Sequence, residues 1–462
     1  MHNQQICINF NFLVKYGQMF KVSKNSLFYI PVALVIVTLL SYNMYSILAP
    51  KINTNTYSNK IIGWGISKFN NLGPIKDRGN VHSNNAIMQE IPKGIKDLSI
   101  GYGFYSIIDY AGMVYTKGDN RAGQMGDGKQ YIFQENLTKS SLSGETDNID
   151  SNYTYSLALQ KDGTVLGWGQ NLTGQIGGQL HDRQLKPIVI NGLKDISSIH
   201  AGYRSSYFIN KNGKAYKLGG NCTVDEINSW RKLADNIAGN ITLGGGYYDR
   251  QSQSIEDSRN INDCNEVSLE YMATNAKEVT EVTGLGDNKI VDIKGGYGHV
   301  LYLDSAGSVF SSGCNLYGQL GRNGKENNII SQTSGRVDFG GVKAVQIEAG
   351  FRHSLILDEQ GIVYGSGHNE YGEMGNDSKQ DNIGFKKIEG LPKIKQIIAS
   401  YDYSLSLDYD GVLWGWGSNQ FEQIIGEKDL KTVTTPTKIQ LKDNARVQKV
   451  HSRGGFILAE IE

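Results

Sequence analysis

Asp162-Gly163-Thr164-Val165-Leu166-Gly167-Trp168-Gly169-Gln170-Asn171, followed by Gly174-Gln175-Ile176-Gly177, is the clearest copy of a phrase that this 462-residue chain repeats. The last glycine of its Gly-Trp-Gly element recurs at Gly65, Gly118, Gly169, Gly219, Gly313, Gly367 and Gly417. The intervals are 53, 51, 50, 94, 54 and 50 residues. A period near 50 residues built on short strands signals a propeller or a solenoid. It favours a binding platform over a catalyst.

Upstream of the phrase, Tyr153 to Leu159 alternates apolar and polar residues as a half-buried strand does. Lys161-Asp162-Gly163 supplies a tight hairpin turn, with equivalents at Gly112, Gly213, Gly307, Gly361 and Gly411. Downstream, Asn171 and its counterparts Asn120, Asn221, Asn315, Asn369 and Asn419 are expected to cap the next turn through their side-chain amides. Each unit is therefore a small antiparallel sheet that cannot bury its faces alone. The first Gly-Trp-Gly, Gly63 to Gly65, lacks a preceding hairpin, and Val447 to Glu462 is a hairpin lacking its Gly-Trp-Gly. Pairing the two ends completes a unit and hides both open edges. The expectation is an all-β, seven-bladed β-propeller over residues 60–462, closed by its N- and C-terminal strands.

The interval of 94 marks the irregular place, residues 222–286. Leu243-Gly244-Gly245-Gly246-Tyr247 resembles the start of a repeat, but Asp263 stands where the signature glycine belongs, and Gln251 to Asn262 is too polar for a core strand. Either this is a decayed eighth unit or an insertion in a seven-bladed ring; the insertion is preferred. The segment holds 11 Asp and Glu against five Lys and Arg, so it is an acidic projection able to engage a basic partner or simply to remain solvated.

These motifs resemble the regulator of chromosome condensation repeat, of the form Ala-Gly-x-x-His-Ser-x-x-Leu, a hairpin, then Gly-Trp-Gly-x-Asn-x-x-Gly-Gln-Leu-Gly. Ala349-Gly350-Phe351-Arg352-His353-Ser354-Leu355-Ile356-Leu357 and Gly365-Ser366-Gly367-His368-Asn369 are close copies. Departures are Lys117 and Leu218 at the tryptophan position and an extra residue in Phe421 to Gly426. The resemblance implies a seven-bladed propeller closed by both termini. It also implies a family whose founding members are nucleotide-exchange factors for a small GTPase and whose other members are interaction platforms. The exchange residues have no motif that places them in this chain, and fold alone does not give function.

Lys plus Arg and Asp plus Glu each number 46, so bulk charge offers no case for nucleic acid. From Asn25 to Pro50 there is no charged residue, and Lys15, Lys21 and Lys24 precede the run. Residues 27–49 therefore read as one apolar transmembrane or signal helix behind a basic segment, 1–26, with the propeller on the non-cytoplasmic side or secreted. A start at Met19 would give a short basic region ahead of an apolar core, as a signal peptide has. The cysteines are Cys7, Cys222, Cys264 and Cys314, with no Cys-x-x-Cys spacing. A Cys222–Cys264 disulfide is conceivable in an oxidising compartment.

Catalytic signatures are missing. No His pair has metal-ligand spacing, and neither a Gly-x-Ser-x-Gly element nor a phosphate-binding loop occurs. No catalytic, cofactor or metal residues are assigned, and His299 and His353 read as structural. The candidate site is a set of aromatics sixteen residues before each signature glycine: Tyr102, Tyr153, Tyr203, Tyr297, Phe351 and Tyr401, with Tyr247 in the irregular segment. Equivalent loops of a propeller converge around the axis on one face, where aromatics serve as hot spots. The competing role is packing between blades. Arg204, Arg352, Asp249 and Asp402 would set the polarity of that face. The expected function is a membrane-tethered or exported protein-binding platform. The alternatives are a guanine-nucleotide exchange factor for a small GTPase and a cell-wall or polysaccharide-binding propeller.

Overall fold

Each signature glycine stands where two strands pinch together. Gly65, Gly118, Gly169, Gly219, Gly313, Gly367 and Gly417 all have φ between 100° and 115°. A Cβ added at Gly65 would lie 2.5 Å from the Gly455 carbonyl, and at Gly219 2.7 Å from that of Arg204. No other residue fits both the backbone angle and the space. The repeat is written around this constraint.

The computed structural model describes residues 60–65, 87–90, 94–129, 132–142, 144–178, 181–220, 278–322, 330–427 and 429–461. They form seven four-stranded antiparallel sheets. Blades 1 to 6 span residues 95–139, 146–189, 196–281, 290–336, 344–387 and 394–438. Blade 7 is built from both ends of the ring. Val447–Arg453 lies innermost, followed by Phe456–Ile461, Lys60–Gly65 and Ile87–Glu90. The joining register runs from Lys60 opposite Ile461 to Gly65 opposite Phe456.

In blade 3, Thr280–Glu281 pairs with Tyr216 and Lys217 as the fourth strand. The chain thus returns to the same sheet after residues 221–277, which lie outside the described residues. Residues 280–286, which the sequence reading assigned to the irregular segment, belong to the blade, and Leu285 is part of its core. Asn221, Tyr247, Asp249, Cys222, Cys264 and the apolar N-terminal stretch also lie outside the described residues. Among the described residues, no helix is long and apolar enough to cross a membrane.

The blades are locked pairwise. The core clusters each draw on two adjacent blades, as where Leu355, Leu357 and Val363 of blade 5 meet Ile397 and Trp416 of blade 6. Trp416 donates its indole N–H to the Glu373 carbonyl of the preceding blade at 2.6 Å. Trp168 and Trp64 do the same to Gln124 and Gln423. A fully buried indole of this kind is worth about 3–5 kcal/mol against alanine. The asparagine caps form as expected at five positions. The side-chain oxygens of Asn120, Asn171, Asn315, Asn369 and Asn419 accept the N–H five residues on, at 2.8–3.0 Å.

The Gly-x-x-His element has its own physical reason. The His353 ring lies flat on Gly350, whose hypothetical Cβ would sit 2.6 Å from Nδ1. From there Nε2 reaches the Ser404 hydroxyl of the next blade at 3.1 Å. His299 reaches Ser354 in the same way at 3.0 Å. Tyr155 and Tyr403 take this place in blades 2 and 6, bonding forward to Ser205 and Ser452 respectively. These side chains are inter-blade staples; the sequence reading had expected only a structural role for the two histidines.

Candidate functional site: an aromatic collar on the propeller axis

The loops that follow the innermost strands meet at one end of the axis, and their aromatic rings close a circle. Ring centroids are 5.5 Å apart for Tyr102–Tyr153, 4.6 Å for Tyr153–Tyr203 and 4.3 Å for Tyr203–Tyr297. The circle continues through Tyr297–Phe351 at 4.3 Å and Phe351–Tyr401 at 5.8 Å, and returns by Tyr401–Tyr102 at 6.2 Å. In blade 7 the equivalent position is Gly454, lying against the Tyr102 backbone. A glycine there lets Tyr401 and Tyr102 meet across the closing blade.

The backbone fixes this arrangement. The N–H of Tyr102 donates to the Tyr153 carbonyl at 2.7 Å, and that of Phe351 to the Tyr401 carbonyl at 2.8 Å. Tyr297 donates likewise to Phe351 at 3.2 Å. Tyr153 and Tyr401 sit at φ of 47° and 32°, a left-handed conformation that costs a non-glycine residue about 1 kcal/mol or more. All six rings are half-buried. Each packs on its neighbour's ring, and Tyr203, Tyr297 and Phe351 also line a cavity of about 250 Å³ between residues of blades 3 and 4. Such edge-to-face and tilted contacts are favourable geometries for aromatic pairs.

Arginines surround the collar. The Arg204 guanidinium lies 5.5 Å from the Tyr297 centroid, and that of Arg352 lies 4.9 Å from Phe351 and 5.3 Å from Tyr317. Arg121 makes a two-pronged ion pair with the buried Asp119, at 3.0 and 2.8 Å. Its charge also reaches the rings of Tyr102 and Tyr153. Asp402, one residue after Tyr401, has a carboxyl pushed up by burial and pulled back in part by Arg352 and His368.

Beneath the collar the axis is plugged by charge. Arg453 of blade 7 crosses to blades 2 and 3, donating to the carbonyls of Ser151 at 2.8 Å and Ala201 at 3.2 Å. It stands 3.8 Å from Asp150. Burial opposes ionisation of Asp150, but the hydrogen bond from His200 and the charge of Arg453 outweigh it and hold the carboxyl below its ordinary range. His200 Nε2 accepts the Gly295 N–H at 2.9 Å, so its ring is neutral and Nδ1–H donates to Asp150. Burial accordingly pushes the His200 pKa down. Arg453 is then the counter-ion of Asp150. A cavity of about 30 Å³ lies beside Arg453 under Tyr203, Tyr297, Phe351 and Tyr401, and the larger one of about 250 Å³ is lined by Tyr203, Tyr297 and Phe351 with Arg204 and Arg352. The collar stands above the Arg453 plug.

The sequence reading named six of the collar rings together with Arg204, Arg352 and Asp402, and the structure brings all of these to one face. It missed Arg453, Arg121 and a buried pair, His368 and Glu373, 2.9 Å apart. Glu373 had a readable signal. It stands where four other copies have glutamine: Gln124, Gln175, Gln319 and Gln423. Cys314 is disulfide-bonded, which the pairing of Cys222 with Cys264 had not foreseen.

Family models of the regulator of chromosome condensation (RCC1) repeat match residues 162–209 and 306–357, and a second model of that description matches 290–319 and 344–373. Among curated relatives, the ultraviolet-B receptor UVR8 of Arabidopsis thaliana is 24% identical over 57% of this chain and 50% of its own length. The secretion-regulating guanine nucleotide exchange factor of Bos taurus is 24% identical over 68% of this chain and 61% of its own. Protein RCC2 homolog of Xenopus laevis is 29% identical over 56% and 47%. The chain thus spans about half to three-fifths of these relatives. Among solved structures, human WBSCR16 superposes with a TM-score of 0.67 at 18% identity, covering 87% of this chain and 98% of that one. Prp20p of Saccharomyces cerevisiae, described with its binding to Gsp1p and histones, gives 0.68 at 18%, covering 88% and 92%. At that identity the likeness concerns the fold.

Proposed function

Because this chain carries regulator of chromosome condensation repeats closed into seven blades, we propose that it is a protein-binding platform whose contact surface is the aromatic collar. The observation that carries this reading is the closed circle of six half-exposed rings, two of them on left-handed backbone. Strained residues persist where the surrounding structure holds them for a purpose. Rigid aromatics flanked by arginine are the side chains that dominate binding energy at interfaces. The partner that fits is a protein with an apolar patch edged by carboxylates, since Arg204 and Arg352 lie against the rings. Replacing Tyr203, Tyr297 and Phe351 together with alanine is expected to reduce capture of partners from native extract below detection. Hot-spot losses of about 2 kcal/mol or more per ring would account for that. The thermal transition should stay cooperative, because the inter-blade indoles and staples are untouched. Capture at wild-type levels by a folded triple variant would refute the reading.

Guanine-nucleotide exchange on a small GTPase is the second reading, favoured by the relative named as an exchange factor. It is separated by release of a fluorescent guanine nucleotide from a panel of small GTPases. Acceleration at catalytic concentrations of the propeller would place exchange first; none is expected under the platform reading.

The platform is further proposed to act outside the cytoplasm, tethered through residues 27–49 or released from them. The uncharged run from Asn25 to Pro50 and the disulfide at Cys314 support this, since disulfides persist in oxidising compartments. Protease added to intact cells is expected to digest the propeller. Protection until the membrane is breached would count against export and favour the exchange reading.

A further inference from the structure

Blade 5 differs from its siblings at two positions that touch each other. In blades 1, 2, 4 and 6 the turn glutamine uses Oε1 to accept the N–H two residues earlier, as Gln423 does from Phe421 at 2.9 Å. Gln423 also donates from Nε2 to the Ser418 carbonyl at 2.7 Å. In blade 5 a carboxylate takes this place. Glu373 Oε2 accepts the Tyr371 N–H at 2.9 Å, and Oε1 faces His368 Nδ1 at 2.9 Å. The Glu373 side chain is fully buried and that of His368 is 7% exposed. His368 stands where blade 2 has Gln170 and blade 6 has Ser418.

A third ligating group comes from the next blade. The carboxylate of Asp402, in the loop that carries the collar ring Tyr401, approaches this pair so that ligand atoms of all three lie within 4.8 Å of one another. Glu370 stands at the solvent side, 3.6 Å from His368 Nε2. The Tyr317 ring packs edge-on against the imidazole at 4.6 Å. Three carboxylates and one imidazole thus surround a small volume. The Arg352 guanidinium lies over Phe351 and Tyr317, and its charge acts on both Asp402 and His368.

We propose that His368, Glu373 and Asp402 form a binding site for a divalent transition-metal ion, joining blade 5 to blade 6 at the edge of the collar. One imidazole nitrogen with two carboxylates suits zinc or manganese, whereas calcium and magnesium take all-oxygen shells. Bonds of about 2.0–2.2 Å put ligand atoms about 3.4 Å apart, so the His368–Glu373 pair, now at 2.9 Å, must open slightly while Asp402 moves in from within 4.8 Å. Side-chain rotation of Asp402 from its loop can supply that. The proton shared by His368 and Glu373 leaves as the ion enters, because a ligating imidazole nitrogen and carboxylate carry none. Such an ion would also replace Arg352 as the counter-charge of Asp402. No local motif marks such a site, because its ligands are split between two repeats and no His pair stands at ligand spacing. The proposal does not depend on the collar binding a protein.

The test is titration of the chelator-treated full chain with Zn²⁺ by calorimetry. One equivalent is expected at micromolar affinity or tighter. Glu373→Gln restores the residue of the sibling blades, so the variant should fold and melt like wild type while binding Zn²⁺ at least tenfold more weakly. Asp402→Asn should weaken binding similarly from the other blade. No binding below millimolar Zn²⁺ in the wild type would overturn the proposal. So would unchanged affinity in either folded variant, since the ion would then sit elsewhere.

Discussion

A chain that stops after Leu441 will have no cooperative unfolding transition. The cut removes Val447–Arg453 and Phe456–Ile461, the two inner strands of blade 7. Lys60–Gly65 then keeps only Ile87–Glu90 as a partner, and the six-residue register with Phe456–Ile461 is gone. Val447, Val450, Phe456, Ile457 and Leu458 leave the core, each at most 2% exposed in the intact ring. At about 1.5–3 kcal/mol for each large apolar side chain, the loss is about 8–15 kcal/mol. That equals the whole stability of an ordinary domain. The removed strands also cover the open flanks of blades 1 and 6, since Phe456 packs with Ile100 and Tyr105 while Ile457 packs with Leu405 and Trp64. Arg453 goes too, and Asp150 loses the guanidinium 3.8 Å away. A circular permutant separates closure from chain length. Opened at the exposed Gly340–Gly341 turn, with Ile461 joined to Lys60 by a short linker, it keeps every blade and should unfold within a few degrees of wild type. A sharp transition in the truncated chain, followed by circular dichroism, would mean that the ring does not depend on its clasp.

The clasp was legible in the sequence because it is a matter of counting, a Gly-Trp-Gly without a hairpin at one end and a hairpin without a Gly-Trp-Gly at the other. The signature glycines were legible for an equally local reason, since a φ near 100° against a neighbouring carbonyl admits nothing else. The collar was legible as a position but not as a contact. Whether Tyr203 and Tyr297 stack or stand apart depends on the radius of the ring, and no single repeat encodes that. Arg453 escaped notice because its partners, Ser151 and Ala201, lie across the axis about 250–300 positions away in sequence. His368 and Glu373 escaped because a glutamate for a glutamine looks like ordinary drift until its partner is seen. Blade 3 was misjudged at its far edge because Thr280–Glu281 is only two residues long and exposed. Nothing in its composition distinguishes it from the polar segment before it.

Acid will act on this propeller through its buried histidines from about pH 6.5 downward. Burial pushes His299 down to about 4 and His353 to about 3. A backbone carbonyl, that of His353 for His299 and of Tyr401 for His353, recovers only part of the shift. In the unfolded chain both rings titrate near 6.5. Below pH 6.5 the unfolded state therefore binds protons that the folded state refuses, and stability falls as pH falls. The loss begins near 6.5 and continues until the folded values are reached. By pH 4 it amounts to about 3 kcal/mol for each ring. Both rings are at most 2% exposed, so solvent screening offers little relief. Each sits flat on a glycine, and its Nδ1 makes no hydrogen bond among the described residues. His368 works in the opposite sense, since burial alone would lower its pKa but Glu373 raises it. Asp150, held below its ordinary range, loses its contribution only at lower pH. His200 and His451, also pushed down by burial, add to the loss in this window, whereas the buried carboxyls of Asp97, Glu348, Glu373 and Asp402, pushed up by burial, take up protons in the folded state and oppose it. Melting temperature measured from pH 7 to pH 4 at constant ionic strength should fall steadily. In a variant carrying His299→Gln and His353→Gln the same curve should be much flatter, whatever its starting stability, because an amide does not titrate. An equally steep curve in that variant would assign the acid sensitivity to other groups.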